Sequence, residues 1–303
     1  MIKSTLELIE LIYRFMKVKG IGTVQTNKLL LSINGKLDSI QFEKQIRKVL
    51  DDSQKREFDN EQLNINYSKF KYPIGFISLL DNGYPEDLKR NLATNTPSVL
   101  TYIGNLSLLD KKKVAFSGSR KVSDKGIAIT KDCVEQLSEK DICIVSGYAA
   151  GVDNIAHYTA IEKGASTIII LPEGIENFRI KKDFNNIWDW NKVLVLSEFM
   201  PADKWTASRA MLRNNTIIGL SDIVVVIEAG ETGGSLDAGL KTIDKGKYLF
   251  VPQYGIVPAS AVGNNILINK GAFPIRMKRE TGKANLAKMI ELLEKSNKYN
   301  LFY

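Results

Sequence analysis

The sequence predicts an α/β protein, a doubly wound and mostly parallel sheet preceded by a small helical unit. Three observations carry this. From residue 113 to about 275, short runs of Val, Ile and Leu alternate with stretches of helical spacing, as in strands covered on both faces by crossover helices. Three of these runs lead into small-residue turns that open a helix: Gly118-Ser119-Arg120, Ser146-Gly147-Tyr148-Ala149-Ala150-Gly151-Val152-Asp153 and Gly233-Gly234-Ser235-Leu236. Residues 1 to about 70, ahead of the alternation, read as helical.

Taken in order, Leu6, Ile9, Ile12 and Met16 recur at helical spacing. Val18-Lys19-Gly20-Ile21-Gly22-Thr23 then breaks one helix and starts the next, which carries Lys28-Leu29-Leu30. This pair of glycines resembles the helix-hairpin-helix motif, in which turn amides meet a DNA phosphate. The charged stretch Asp51 to Glu61 reads as a solvated helix or connector. In the bridge from 71 to about 110, Tyr84-Pro85-Glu86-Asp87-Leu88 is a turn into a short helix. Pro97 to Asn105 is a short strand and turn, with Pro97 favouring an edge position. The strands expected next are Val114–Ser117, Ile142–Val145, Thr167–Leu171, Val193–Leu196, Ile223–Ile227 and Tyr248–Val251. Helices are expected at about 124–138, 152–163, 206–219 and 235–245. Residues 276–303 hold one more amphipathic helix, with Leu286, Met289, Ile290 and Leu293 on one side. The expected organisation is a helical domain at 1–70, the α/β domain at 71–278, and a helix and tail at 279–303.

Bulk properties narrow the function. The chain has 303 residues, 44% hydrophobic, and a net charge of +8. That charge is compatible with nucleic acid or phosphorylated ligands, and also with the lysine usage of AT-rich genomes. Cys133 and Cys143 lack metal-type spacing, which points to a reducing cytoplasm and no metal. The start carries Glu7 and Glu10 and shows no secretory pattern, and no apolar run nears a membrane span. His157, the only histidine, has no set of partners for metal or Ser-His chemistry and is expected in the interior. No catalytic residue and no cofactor are expected.

The turns are where binding is expected, because ligands of such sheets sit beyond the carboxyl ends of the strands. Gly118 permits a tight turn, Ser119 offers a hydroxyl, and Arg120 brings a planar fork suited to phosphate. Ser146, Gly147 and Gly151 belong to the second turn, where Asp153 is read as a structural cap and Ala156 and Ala160 allow close helix packing. Arg213 and Asn214 either face the same crevice or anchor a helix through a carboxylate such as Glu198 or Glu228. Gly233, Gly234 and Ser235 open a further helix, with Ser235 a plausible cap, after the crevice loop Glu228-Ala229-Gly230. Lys111 to Lys113 reads as a solvated face.

These pieces, in this order, resemble the DNA-processing protein A family, also called DprA or Smf. The likeness runs from about Tyr84 to Ala272. Besides the turns, it includes Tyr84-Pro85, Pro97-Ser98-Val99-Leu100, Ala156-His157, Ser197-Glu198, Arg213-Asn214, Ile218-Gly219-Leu220-Ser221, Val251-Pro252, Gly263-Asn264 and Asn269-Lys270-Gly271-Ala272. The resemblance implies an extended Rossmann-like domain with a helix-hairpin-helix or SAM-like unit before it. It implies a cytoplasmic homodimer that binds single-stranded DNA and loads a RecA-type recombinase, in natural transformation, competence or recombination. No bond is made or broken. Through it, Asn264 joins the nucleic-acid-binding set.

Departures mark a divergent member. Ala150 stands where the family usually carries Lys or Arg, and Asn215 where a second arginine is common. Asn177-Phe178-Arg179-Ile180-Lys181-Lys182 replaces a Tyr-Pro-containing segment, and Arg179, Lys181 and Lys182 are candidates to restore charge. Among aromatics near the crevice, Phe178, Phe184 and Trp205 could stack on bases, with core packing the favoured role for each. The alternative is a nucleotide sensor, including one acting in phage defence. The LOG-type phosphoribohydrolases share the crevice, but Thr232-Gly233-Gly234-Ser235-Leu236-Asp237 lacks their catalytic glutamate. A third reading is an interaction protein whose crevice has lost its ligand.

Overall fold

The computed structural model describes residues 2–33, 38–63, 65 and 67–299. Four helices come first: α1 (Ile2–Lys17), α2 (Thr23–Leu31), α3 (Ser39–Val49) and α4 (Asp52–Asn60). Asp38 and Asp51 accept from the Gln41 and Gln54 amides at 2.7 and 2.8 Å, capping amides that α3 and α4 cannot satisfy internally. The break between α1 and α2 falls at the expected glycines, with Gly20 at φ +84°, a region other residues enter at a cost. The stretch Asp51 to Glu61 is the solvated helix α4, anchored by the buried ring of Phe58. α4 also closes the hairpin: the Lys19 amide donates to Glu57 at 2.9 Å, and Gln54 Nε2 donates to the Lys19 carbonyl at 3.1 Å. Buried Asn27 fastens α2 to the bridge segment. It donates to the Thr94 and Thr96 carbonyls at 3.1 and 2.7 Å and accepts from Ser98 Oγ at 2.7 Å.

The strands are β1 (Gly75–Ser78), β2 (Val99–Gly104), β3 (Lys113–Ser117), β4 (Cys143–Ser146), β5 (Thr167–Ile170), β6 (Val193–Ser197), β7 (Ile223–Val226), β8 (Tyr248–Pro252) and β9 (Phe273–Ile275). They form one sheet in the order β1-β2-β6-β5-β4-β3-β7-β8-β9. β1 with β2 and β2 with β6 are antiparallel; every other pair is parallel. From β3 the chain steps outward to β4, β5 and β6, then returns to β7 on the other side. Strand order therefore reverses between β3 and β7, the place where doubly wound sheets open a crevice. The strands expected from sequence are found with ends shifted by two residues at most. β1 and β9 were not foreseen. Pro97 does not mark an edge, because β2 lies between β1 and β6; the proline precedes the paired residues, and its carbonyl accepts from Tyr84 Oη at 2.6 Å.

The connecting helices are α5 (Glu86–Leu92), α6 (Asp124–Ser138), α7 (Val152–Glu162), α8 (Ala207–Leu220), α9 (Gly234–Asp244), α10 (Asn264–Asn269) and α11 (Ala287–Tyr299). Alternate strand residues serve opposite faces. Ala115, Val145, Ile168, Val224 and Val226 pack with Ile217 and Ile218 of α8 and with the first helices. Val114, Phe116, Ile144 and Val225 pack with α6, with Ala156 and Ala160 of α7, and with Leu286, Met289 and Leu293. One surface lysine of the sequence reading is not on the surface. Lys113 is buried, paired with Asp87 at 3.1 Å and donating to the Leu109 and Lys111 carbonyls.

Candidate functional site

The loops after β3, β4, β5 and β7 converge beside the first half of α8 and enclose a two-lobed cleft. The larger lobe, about 400 Å³, is lined by Gly118, Arg120, Asp153, Met211, Asn214, Gly234 and Ser235, among others. The smaller, about 250 Å³, lies between Gly147–Ala150 and Leu171–Glu173. Arg120, Ala149, Trp205 and Arg213 line both. Two roomier hollows lie elsewhere. One, among the first helices, is walled by Glu7, Glu10, Glu43, Asp59 and Glu61, the wrong sign for an anion. The other flanks β1 and β2, far from the strand-order reversal.

Glycine is required here by contacts. A Cβ on Gly147 would stand 1.4 Å from Arg213 Nη1, so its absence makes room for a guanidinium. A Cβ on Gly151, at φ +75°, would meet the Ser119 carbonyl at 2.2 Å, and one on Gly118 would meet Val152 Cγ2 at 2.5 Å. These two positions let the loops after β3 and β4 touch. Gly233, at φ +104°, starts α9 without a side-chain cap, leaving first-turn amides beside the larger lobe, an arrangement that favours anions.

The two arginines differ. Arg120 is exposed and, among the described residues, has no hydrogen-bond or ion-pair partner. Arg213 is only 5% exposed; Nη1 donates to the Ile170 carbonyl at 3.0 Å, while buried Nε has no partner among the described residues. Burial lowers its affinity for the proton, against the pull of Asp153 and Glu198; an arginine starts so high that it keeps its charge. Neither carboxylate expected to anchor it does so. Glu198 accepts from Thr216 Oγ1 at 2.7 Å, and burial pushes its carboxyl up to about 7. Glu228 is fully buried and accepts from the Ser123 amide and hydroxyl, from Ser260 Oγ at 2.6 Å and from Tyr254 Oη at 3.2 Å. It therefore shapes the crevice loops from beneath.

Of the residues expected from sequence, Gly118, Arg120, Gly147, Arg213, Asn214, Gly234 and Ser235 line the cleft. Ser119, Gly151 and Gly233 support its loops. Two are corrected. Ser146 is buried and its hydroxyl donates to the Phe116 carbonyl at 2.6 Å. Asn264 is buried too, donating to the Ile227 and Pro252 carbonyls and accepting from the Ala229 amide at 2.9 Å. It holds the β7 loop in place. The caps also differ from expectation. Gly233 occupies the N-cap assigned to Ser235, and Gly151 the one assigned to Asp153. Asp153 instead accepts from the Ala149 amide at 3.2 Å, drawing its loop closed.

His157 is interior, as expected. Thr167 Oγ1 donates to the Ile144 carbonyl, so His157 Nδ1, 2.7 Å away, carries the proton donated to Thr167, and buried Nε2 has no side-chain partner among the described residues. Phe178 and Phe184 are core residues. Trp205 is the exception, 49% exposed at the lip of both lobes. Its neighbours Lys204 and Thr206, polar and just ahead of α8, were the available sign of exposure. Of the cations meant to replace the missing one at Ala150, Arg179 folds back on the Glu176 and Phe178 carbonyls. Lys181 braces the β4 loop, donating to the Tyr148 carbonyl and Asn154 Oδ1, both at 2.8 Å, with Nζ 4.2 Å from the Tyr148 ring centroid. Lys182 is exposed.

Comparisons with known proteins agree on one family and one fold. The sequence model of the family described as DNA recombination-mediator protein A matches residues 75–284. The DNA processing protein DprA of Streptococcus pneumoniae is 34% identical over 71% of this chain and 74% of its own length. The X-ray structure of the S. pneumoniae protein superposes with a TM-score of 0.66 at 29% identity, covering 87% of this chain and 93% of that one. DNA processing protein A of Helicobacter pylori, solved for its single-stranded DNA binding mode, gives a TM-score of 0.61 at 26% identity over 75% and 98% of the two chains.

Proposed function

Since the chain belongs to the DNA recombination-mediator protein A family, we propose that it binds single-stranded DNA in the two-lobed cleft and passes the strand to a RecA-type recombinase. The observation that carries this reading is Arg120, exposed and unpartnered among the described residues, beside buried Arg213 and the uncapped start of α9. One held and one free positive centre, with free amides beside them, suit successive phosphates of one strand. Trp205 at the lip suits a base face, the sequence-tolerant part of such binding. The contact set is Gly118, Arg120, Gly147, Arg213, Asn214, Gly234 and Ser235, with Ser119, Gly151 and Gly233 supporting its loops and Ser146 and Asn264 acting from behind. The role is binding and hand-over in the cytoplasm, without catalysis, during DNA uptake or recombination. A homodimer fits the exposed apolar side chains Ile256, Val257, Val262 and Ile266 near edge strand β9. Among the described residues, no helix is long and apolar enough to cross a membrane.

The test is titration of labelled oligo-dT at several salt concentrations with wild type and Arg120→Ala. Losing one charge-assisted contact should weaken binding about tenfold at low salt. The salt slope should flatten by about 0.7. Equal affinity and slope would remove Arg120 from the contact set. Saturable nucleotide binding without strand binding would replace the reading by nucleotide sensing.

A further inference from the structure

A second cluster of charges sits at the opposite ends of the strands from the cleft. Lys113 opens β3, and Asp222 and Lys247 stand just before β7 and β8. Val114 is in register with Ile223, and Ile223 with Tyr248. One rung earlier, Lys113, Asp222 and Lys247 therefore form a row across three parallel strands, with the Asp222 amide donating to the Lys113 carbonyl at 2.8 Å. Two residues along each strand, Ala115, Val224 and Leu249 pack in the same core as α5 and α8, so the row faces that side too. There α5 adds Asp87 and Arg90.

The carboxylates are shared unequally. Asp87 holds Lys113 Nζ at 3.1 Å and also Arg90 Nη2. Asp222 Oδ2 accepts from the Lys113 amide at 2.7 Å. Lys247, partly buried, is the third cation over two carboxylates, and its ammonium makes no hydrogen bond or ion pair among the described residues. Burial pushes that ammonium from the ordinary 10.5 down to about 8, against the pull of Asp222 and Asp87; Arg90 and Lys113 push the same way as burial.

We propose that Lys247 is a modification site, an acyl acceptor that takes its acyl group from acyl phosphates. The neutral amine attacks the carbonyl carbon. The N–C bond forms, the C–O bond to the phosphate oxygen breaks, inorganic phosphate leaves, and the surplus amine proton goes to water. Lysines that lose their charge on burial are nucleophiles of this kind. The phosphoryl end of the donor is anionic, and three cations over two carboxylates attract it. The product amide is neutral, which leaves Lys113 and Arg90 matched by Asp87 and Asp222. A carbamate formed from carbon dioxide would instead set a third negative charge beside those two. The site stands apart from the cleft, so it does not rest on the strand-binding reading.

The experiment incubates the folded full chain with acetyl phosphate and follows each lysine by peptide mass spectrometry. At pH 7, Lys247 should gain acetyl about tenfold faster than exposed lysines such as Lys125 and Lys278, its larger neutral fraction outweighing its partial burial. From pH 7 to pH 9 the neutral fraction of a group titrating near 8 rises about tenfold, against about a hundredfold for an ordinary lysine, so the Lys247 rate should climb about tenfold. Lys113→Met removes a like charge and releases Asp87, and should slow Lys247 at pH 7 about threefold. Arg90→Gln alters a side chain that is 59% exposed, so the fold tolerates it, and should slow Lys247 about twofold. A Lys247 that reacts no faster than Lys125 and Lys278, a climb of about a hundredfold, or a rate unchanged in both variants overturns the proposal.

Discussion

Replacing Gly147 by Ala tests the nesting of Arg213 directly. The added Cβ would stand 1.4 Å from Nη1, 2.3 Å from Cζ and 2.6 Å from Nη2. The guanidinium must leave, and with it goes the 3.0 Å bond from Nη1 to the Ile170 carbonyl. A hydrogen bond from a charged group contributes about 1.5–3 kcal/mol, and overpacking of a tight site adds about 1–3 kcal/mol. Gly147→Ala should therefore lower unfolding stability by about 3 kcal/mol in urea titrations followed by tryptophan fluorescence. The diagnostic step is the double variant. Once Arg213→Ala has emptied the space, the extra methyl should cost less than about 1 kcal/mol, a coupling of about 2 kcal/mol or more. A Gly147→Ala penalty that persists unchanged without Arg213 would refute the claim that this glycine exists to house the guanidinium.

Two further outcomes are expected. Ala150 is exposed at the smaller lobe, so Ala150→Lys should tighten oligo-dT binding and steepen its salt slope by about 0.7; an unchanged slope would place that position outside the strand's path. His157 is held neutral, its pKa pushed down to about 3 by burial and by the charges of Lys181 and Arg213, against an ordinary 6.5. The unfolded state therefore binds the extra proton below pH 6.5, and stability falls as pH drops from there toward 3. The His157 share amounts to about 2 kcal/mol between pH 6.5 and 5. His157→Gln should remove that share, read from urea unfolding at pH 7 and pH 5; an unaltered pH dependence would show that another group carries it.

The sheet was legible because β-branched runs such as Ile223–Val226 are buried on both faces and have few alternatives. Phe273–Ile275 was not, since three residues with a central proline carry no strand signal; it survives as an edge, where that missing donor is harmless. Among the site residues, the glycine turns announced the crevice. Which side chains face it was a different question. Ser146 and Ser235 are the same letter in similar turns, yet one hydroxyl is spent on the Phe116 carbonyl and the other borders the cleft. Asn264 reads as a ligand residue and works as a three-way clasp. Such outcomes depend on which carbonyls the tertiary fold brings near, and nothing local in the chain encodes that.

The contact between Glu57 and the Lys19 amide carries a consequence for the size of the footprint on a strand. A hairpin turn of this kind would ordinarily welcome an oxyanion from outside, but here a carboxylate from the fourth helix is already its tenant. The amino-terminal helices thus come with their own resident counter-charge. Nucleotides held by this molecule would be counted along the carboxyl rim of the sheet, and the hairpin would lengthen that count only if its occupant were evicted.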